Sequence, residues 1–163
     1  DLCKKIEPVS NNTNINSHNK IFNINLFLNE DCKDAMNMSE FIESIQLSIE
    51  DVKKIGMEGQ TQALSNILSS KLNEIDIFKR PVHCSDSKKE IIYIKDEDKW
   101  EQEENDKPKL KRALDKIAKE SLCKVPEMTV GEDSYVKTIL EILKDPREDK
   151  KILKEVSKNV LIK

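Results

Sequence analysis

Apolar side chains recur at helical spacing along most of this chain, and one central stretch breaks that rhythm. Ser39-Glu40-Phe41-Ile42-Glu43 reads as a helix start, with Ser39 as the cap and acids in the first turn. Phe41, Ile45, Ile49, Val52 and Ile55 carry the helical period onward, and Ser48-Ile49-Glu50-Asp51 offers a second start within it. Gly56 and Gly59 close that unit. Ala63, Leu64, Ile67, Leu68, Leu72 and Ile75 then mark the buried stripe of a helix over 60–75. Lys79-Arg80-Pro81 ends it, because the residue before a proline disfavours helical backbone.

The period then changes from about 3.6 to 2. Residues 82–84 and 91–95 predict an antiparallel pair joined by the turn-like Ser85-Asp86-Ser87-Lys88-Lys89. Trp100 begins a third strand after the Asp96-Glu97-Asp98 turn. Helix returns over 107–123, with Pro108 in its first turn and Leu110, Leu114, Ile117, Ala118 and Leu122 along one face. Pro126 stops it, and two further helices are expected over 133–143 and 147–160, separated by Asp145-Pro146. Upstream, Phe22, Ile24, Leu26 and Leu28 alternate with Asn23 and Asn25, which predicts a short strand over 22–28. Residues 1–20 are rich in Asn and Ser, which compete with the backbone for hydrogen bonds, and they read as a polar linker.

The fold class expected is α+β, mainly α: about five helices with a small antiparallel sheet of two or three strands near 82–100. The body spans 21–163, as one unit or as two lobes over 21–78 and 79–163. Charged residues make up 36% of the 163 and aromatics only 4%, so the core must be built mostly from Ile and Leu. The net charge of −3 leaves the whole molecule no basic footprint, so any polyanion site must be a local patch. No apolar run approaches the roughly 20 residues needed to span a bilayer. Cys3, Cys32, Cys84 and Cys123 are scattered without a paired Cys-x-x-Cys, which favours a reducing interior over a disulfide framework.

The candidate chemistry is sparse. His83 beside Cys84 invites a thiol nucleophile or a metal site, but neighbours on a strand point to opposite faces. Cys3, Cys32, Cys123 and His18 lack metal-site spacing, so no metal and no cofactor is expected. Asp86, Glu90 and Lys95 superficially suggest a metal nuclease, yet the short acidic-x-lysine pattern is missing, since Tyr93 lies two residues before Lys95. Three glycines hardly build a phosphate loop. Lys109, Lys111, Arg112 and Lys116, together with Lys88 and Lys89, make up the candidate nucleic-acid contacts. Against that stand the counter-charges Glu101, Glu103, Glu104, Asp106, Asp115 and Glu120, and the lack of an aromatic stacking partner.

Several segments together resemble a family of uncharacterised proteins encoded by giant DNA viruses. They are the run from Asn23 to Asn37, Phe41-Ile42-Glu43-Ser44-Ile45, Arg80-Pro81-Val82-His83-Cys84-Ser85-Asp86, and Tyr93-Ile94-Lys95-Asp96 with Trp100. The resemblance implies an N-terminal Cys/His zinc finger ahead of an Asn-rich linker and this body. The linker is present and the finger is not; Cys3 stands where the last finger ligand would fall, so the chain reads as a fragment of a longer protein. The family implies nucleic-acid association through its finger, and a location inside the host cell: cytoplasm, viral factory, nucleus or virion. It supplies no catalytic residues, and leaves Arg80, His83, Cys84, Asp86, Lys95 and Trp100 as a hairpin motif without a role. The leading expectation is a non-enzymatic body serving homo-oligomerisation or protein contact. Direct DNA binding through the basic face, and a nuclease-like centre at 83–95, are the alternatives.

Overall fold

The computed structural model describes residues 22–128 and 133–162, so the 1–20 linker and Cys3 lie outside the described residues. The architecture is mainly helical with a three-stranded antiparallel sheet, as expected, although the described residues hold seven α-helical segments rather than about five. The helices are α1 (Ile24–Leu26), α2 (Met38–Ser44), α3 (Ile49–Glu58), α4 (Gln60–Asn73), α5 (Pro108–Lys124), α6 (Asp133–Ile142) and α7 (Lys150–Asn159). The strands are β1 (Val82–Asp86), β2 (Ile91–Asp96) and β3 (Lys99–Gln102), in the order β1-β2-β3.

The strand expected over 22–28 is instead α1, running into a π-helical turn, Phe27–Asp31. Asn23 decides this: its side chain accepts from the backbone N–H of Asn25 and Leu26 and so caps a helical turn. Phe27 and Leu28 are then both buried, which no alternating strand on a single core allows. The cap of α2 is Asn37 rather than Ser39. Its N–H donates to Glu40 Oε2 at 2.7 Å, which frees the Ser39 hydroxyl to donate to Asp96 Oδ1 at 3.0 Å. Ser48 caps α3 through the Asp51 N–H at 3.1 Å. Gly59, at φ +85°, turns α3 directly into α4, while Gly56 lies within α3 and does not end it. At the other end of the chain α7 begins at Lys150, because Asp145 and Pro146 first make a 3-10 turn over Pro146–Glu148.

One apolar core draws on both halves of the chain. Phe41, Val52, Ile55, Leu64, Leu68 and Leu72 meet Val82, Ile92, Ile94, Leu110, Leu114, Ile117, Ile152 and Val156. Val82, Cys84, Ile92 and Ile94 form the inner face of the sheet. The outer face carries His83, Tyr93, Lys95 and Trp100, paired across the strands as His83 with Tyr93 and Lys95 with Trp100. A second, smaller cluster of Phe27, Leu28, Cys32 and Ala35 covers it. Residues 160–162 seal the free edge of β1: Cys84 N–H donates to the Val160 carbonyl at 2.8 Å, and Ile162 N–H to the Cys84 carbonyl at 2.9 Å.

Gly56 sets how closely α3 and α6 approach. A Cβ at that position would lie 3.0 Å from Thr138 Cα and collide with Thr138 Oγ1. Gly56→Ala gains helix propensity of up to about 1 kcal/mol, but overpacking at a rigid backbone contact costs typically 1–3 kcal/mol. Urea denaturation should therefore show net destabilisation of roughly 1–2 kcal/mol; an unchanged or raised midpoint would contradict this packing.

Candidate functional site

The outer face of the sheet gathers the most unusual side chains of the molecule. His83 lies between Phe27, at 5.1 Å between ring centroids and edge-on, and Trp100, at 5.6 Å. Its Nε2 is 3.6 Å from Cys32 Sγ, and both residues are buried. The Ile77 backbone also hydrogen-bonds the imidazole, and a neutral ring in the tautomer that leaves Nε2 unprotonated accepts there from the Cys32 thiol. Trp100 closes the group, its Nε1–H donating to the Cys32 carbonyl at 3.3 Å.

Electrostatics decide what this pair can do. Burial pushes the Cys32 thiol up to about 11, with the fields of Asp31 and Asp76 adding to it and that of Lys95 opposing. Burial pulls the His83 imidazole down to about 4, helped by Arg80. A thiolate–imidazolium nucleophile needs the opposite order, with a thiol more acidic than its base. At neutral pH Cys32 and His83 are therefore a neutral, hydrogen-bonded pair, and the arrangement is suited to packing rather than to attack on a substrate.

Lys95 is buried on the same face. Its ammonium donates to the carbonyls of Lys33 at 2.6 Å and Ala35 at 2.7 Å, so it pins the segment after the π-helical turn to the sheet. Asp86 joins neither group. It lies beyond an irregularity in strand register between Cys84 and Asp86, and its carboxylate accepts from the N–H of Lys88 and Lys89 at 2.9 and 3.0 Å. Those bonds hold its pKa below the ordinary value. The nuclease-like trio of His83, Asp86 and Lys95 thus does not converge: His83 and Lys95 share the packed face, while Asp86 organises the hairpin turn. Cys84 faces the main core, where burial raises its pKa. Arg80 turns inward, its Nε donating to the Ile75 carbonyl at 3.0 Å.

Three of the six candidate basic residues are ion-paired. Lys109 lies 3.8 Å from Asp96 and 3.9 Å from Glu101; Lys111 bonds Asp106 at 2.7 Å, and Lys116 bonds Glu120 at 2.7 Å. Arg112 is exposed on α5, and Lys88 and Lys89 sit on the hairpin turn. Glu103 is buried instead of serving as a surface counter-charge; it accepts from Lys109 N–H at 3.2 Å at the start of α5, and burial raises its pKa.

Two surfaces went unnoticed in the sequence. Outward-facing Val136, Leu140 and Leu143 run along α6 and its C-terminal end, although the alternative apolar set Tyr135, Ile139 and Ile142 already supplies an inward face. Apolar residues on both sides of one helix were the available signal. The second is an exposed group of Phe22, Leu26, Ile77 and Phe78 around Phe27, concealed in the sequence by the helix that replaces the expected strand. Among the described residues, no group of three or more His, Cys, Asp or Glu side chains could hold a metal ion, and no helix is long and apolar enough to cross a membrane. No family model, curated protein or solved structure matches the chain.

His83 gives the fold a pH dependence. Its proton is taken up near 6.5 when unfolded but only near 4 when folded, so between those values the unfolded chain binds the extra proton. The stability it contributes is complete above about pH 6.5 and drains as pH falls toward 4, by roughly 2–3 kcal/mol in all. Urea midpoints measured across this window should fall more steeply for the native protein than for His83→Gln; parallel curves would show that burial of the neutral ring is not the cause.

Proposed function

We propose that this chain is a non-enzymatic body that joins to a second copy of itself through the outer face of α6. The supporting observation is the exposure of Val136, Leu140 and Leu143, at 63, 60 and 65%, on a helix already apolar toward its own core. A helix that is apolar on its outer as well as its inner face gains by having both covered. The three span two turns, roughly 10 Å of axis. In an antiparallel two-fold pairing Leu140 packs near its counterpart and Val136 faces Leu143 of the other copy, so each finds an apolar neighbour. The neutral Cys32–His83 pair further favours a scaffold over a catalyst.

In the setting implied by the viral resemblance, such a body would hold together the fingers of two chains while the fingers engage nucleic acid. Direct DNA binding by the body has less support, because Lys109, Lys111 and Lys116 are committed to carboxylates.

Sedimentation equilibrium over a range of concentrations tests this reading. The native chain should dimerise weakly, and Leu140→Glu, at a position that is mostly exposed, should raise the dissociation constant at least about tenfold while leaving the far-UV spectrum unchanged. A native chain that stays monomeric at its highest soluble concentration would refute the proposal.

A further inference from the structure

We infer that the open edge of β3 accepts an extended protein segment in antiparallel register, with a lysine or arginine side chain lodged in the acidic cavity beside Glu101 and Glu103. The edge involves no residue of α6, so the inference does not rest on self-association. The molecule covers both faces of its sheet and one of its edges, where residues 160–162 seal β1. The other edge is β3, four residues long. Glu103 N–H donates to the Ile92 carbonyl at 2.8 Å, which fixes the alternation along the strand. Lys99 and Glu101 therefore exchange hydrogen bonds with β2, while the N–H and C=O groups of Trp100 and Gln102 point away from it. No hydrogen bond to these outward groups occurs among the described residues. Such an edge is a template for another strand.

A cavity of about 90 Å³ lies where β3 runs on toward α5, with Glu101, Glu103, Glu104 and Lys109 among its walls. A water takes about 30 Å³ of liquid, so the space suits a group about three waters in size, such as the end of a basic side chain. Glu103 is only 8% exposed. Its Oε1 accepts from Lys109 N–H at 3.2 Å, but its Oε2 is buried without a hydrogen-bond partner. A buried carboxylate oxygen left without a donor costs free energy that an incoming N–H recovers. The one ammonium in the cavity wall, that of Lys109, is divided between Glu101 at 3.9 Å and Asp96 at 3.8 Å. The field of Lys107 also reaches Glu103, yet its ammonium donates instead to the Glu104 carbonyl at 3.4 Å. With Lys107 counted, the carboxylates of Glu101, Glu103 and Glu104 still outnumber the ammoniums beside them.

Edge and cavity fit one occupant. Ile94 and Glu101 are cross-strand partners on the inner face of the sheet. In an added antiparallel strand the residue opposite Glu101 shares that face, with its Cβ about 4.5–5.5 Å from that of Glu101. From there the long stem of a lysine or arginine reaches the cavity. The two residues beside it, opposite Trp100 and Gln102, make the main-chain bonds. Backbone pairing then gives affinity and the basic side chain gives selectivity. A second copy fits less well: residues 99–104 hold one Lys against three Glu, so its own edge strand would bring more acid than base to the seam. A polyanion would meet the carboxylates directly. The shortness of the edge and its charged side chains restrict pairing to a matched partner.

Fluorescence anisotropy with labelled, end-capped heptapeptides tests this. The parent alternates Thr and Val, with Lys as its middle residue. It should bind at least about tenfold more tightly than the same peptide with norleucine or Glu in the middle. N-methylation of the two Thr beside the Lys should abolish binding, whereas N-methylation of the Lys itself, whose N–H points away from β3, should leave it within about twofold. Glu103→Gln keeps an acceptor for the Lys109 N–H and should weaken binding of the Lys peptide at least about tenfold. Should that variant unfold, Glu101→Gln, at an exposed position, carries the test. No binding of the Lys peptide at millimolar concentration, equal binding of the norleucine or Glu peptide, indifference to methylation of the Thr pair, or indifference to both Glu substitutions would each overturn the inference. So would self-association that Glu101→Lys abolishes and Leu140→Glu does not, which gives the edge to a second copy.

Discussion

The structure depends on covering a small sheet on both faces. A three-stranded sheet with one bare apolar face is marginal in water, and here neither face is polar enough to stay wet. Helices α2 and α7 pack against β2 and β1, and α3 to α6 complete the apolar core that Val82, Cys84, Ile92 and Ile94 join. The opposite side would expose His83, Tyr93 and Trp100 if residues 24–36 did not lie across it. Lys95 makes that cover cooperative: its ammonium is buried only because the carbonyls of Lys33 and Ala35 are there to receive it. Lifting the segment would return the ammonium to water and lose two charge-assisted hydrogen bonds together with the apolar contact.

The same burial explains why the residues that look reactive are quiet. Cys32 and His83 touch, yet desolvation moves their pKa values apart in the direction that keeps both neutral. The pairing of β1 with β2 puts His83 on one face and Cys84 on the other. Similarly, the lysines of α5 meet carboxylates within a turn or on the adjacent hairpin, so a row that is basic in the sequence is close to neutral in space.

Besides the buried Ser69 hydroxyl and one Glu103 oxygen, which lack hydrogen-bond partners, what the fold leaves uncovered is apolar. Leu140 and its neighbours on α6 and the Phe22–Phe78 surface are two groups of oily side chains left in water, beside the single exposures of Met57 and Leu122. Both lie on elements whose inward faces are fully used, so neither surface can be removed by small adjustments of the monomer.

Local rules in the sequence were enough for the central hairpin, the Ser48 cap, the Pro108 start of α5 and the helical stripes over 60–75. Each depends on side-chain period or turn chemistry within a few residues. The mixed, mainly helical class followed from them. Tertiary structure alone decided the rest. The alternation over 22–28 yielded to the Asn23 cap and to a sheet face 50 residues away that needed a cover. Asn37 rather than Ser39 caps α2, which leaves the Ser39 hydroxyl to Asp96 on the sheet. The Cys32–His83 pair, the Lys95 pin and the sharing of one face by five aromatics are contacts between distant positions, and period and propensity carry no information about which distant side chains will meet.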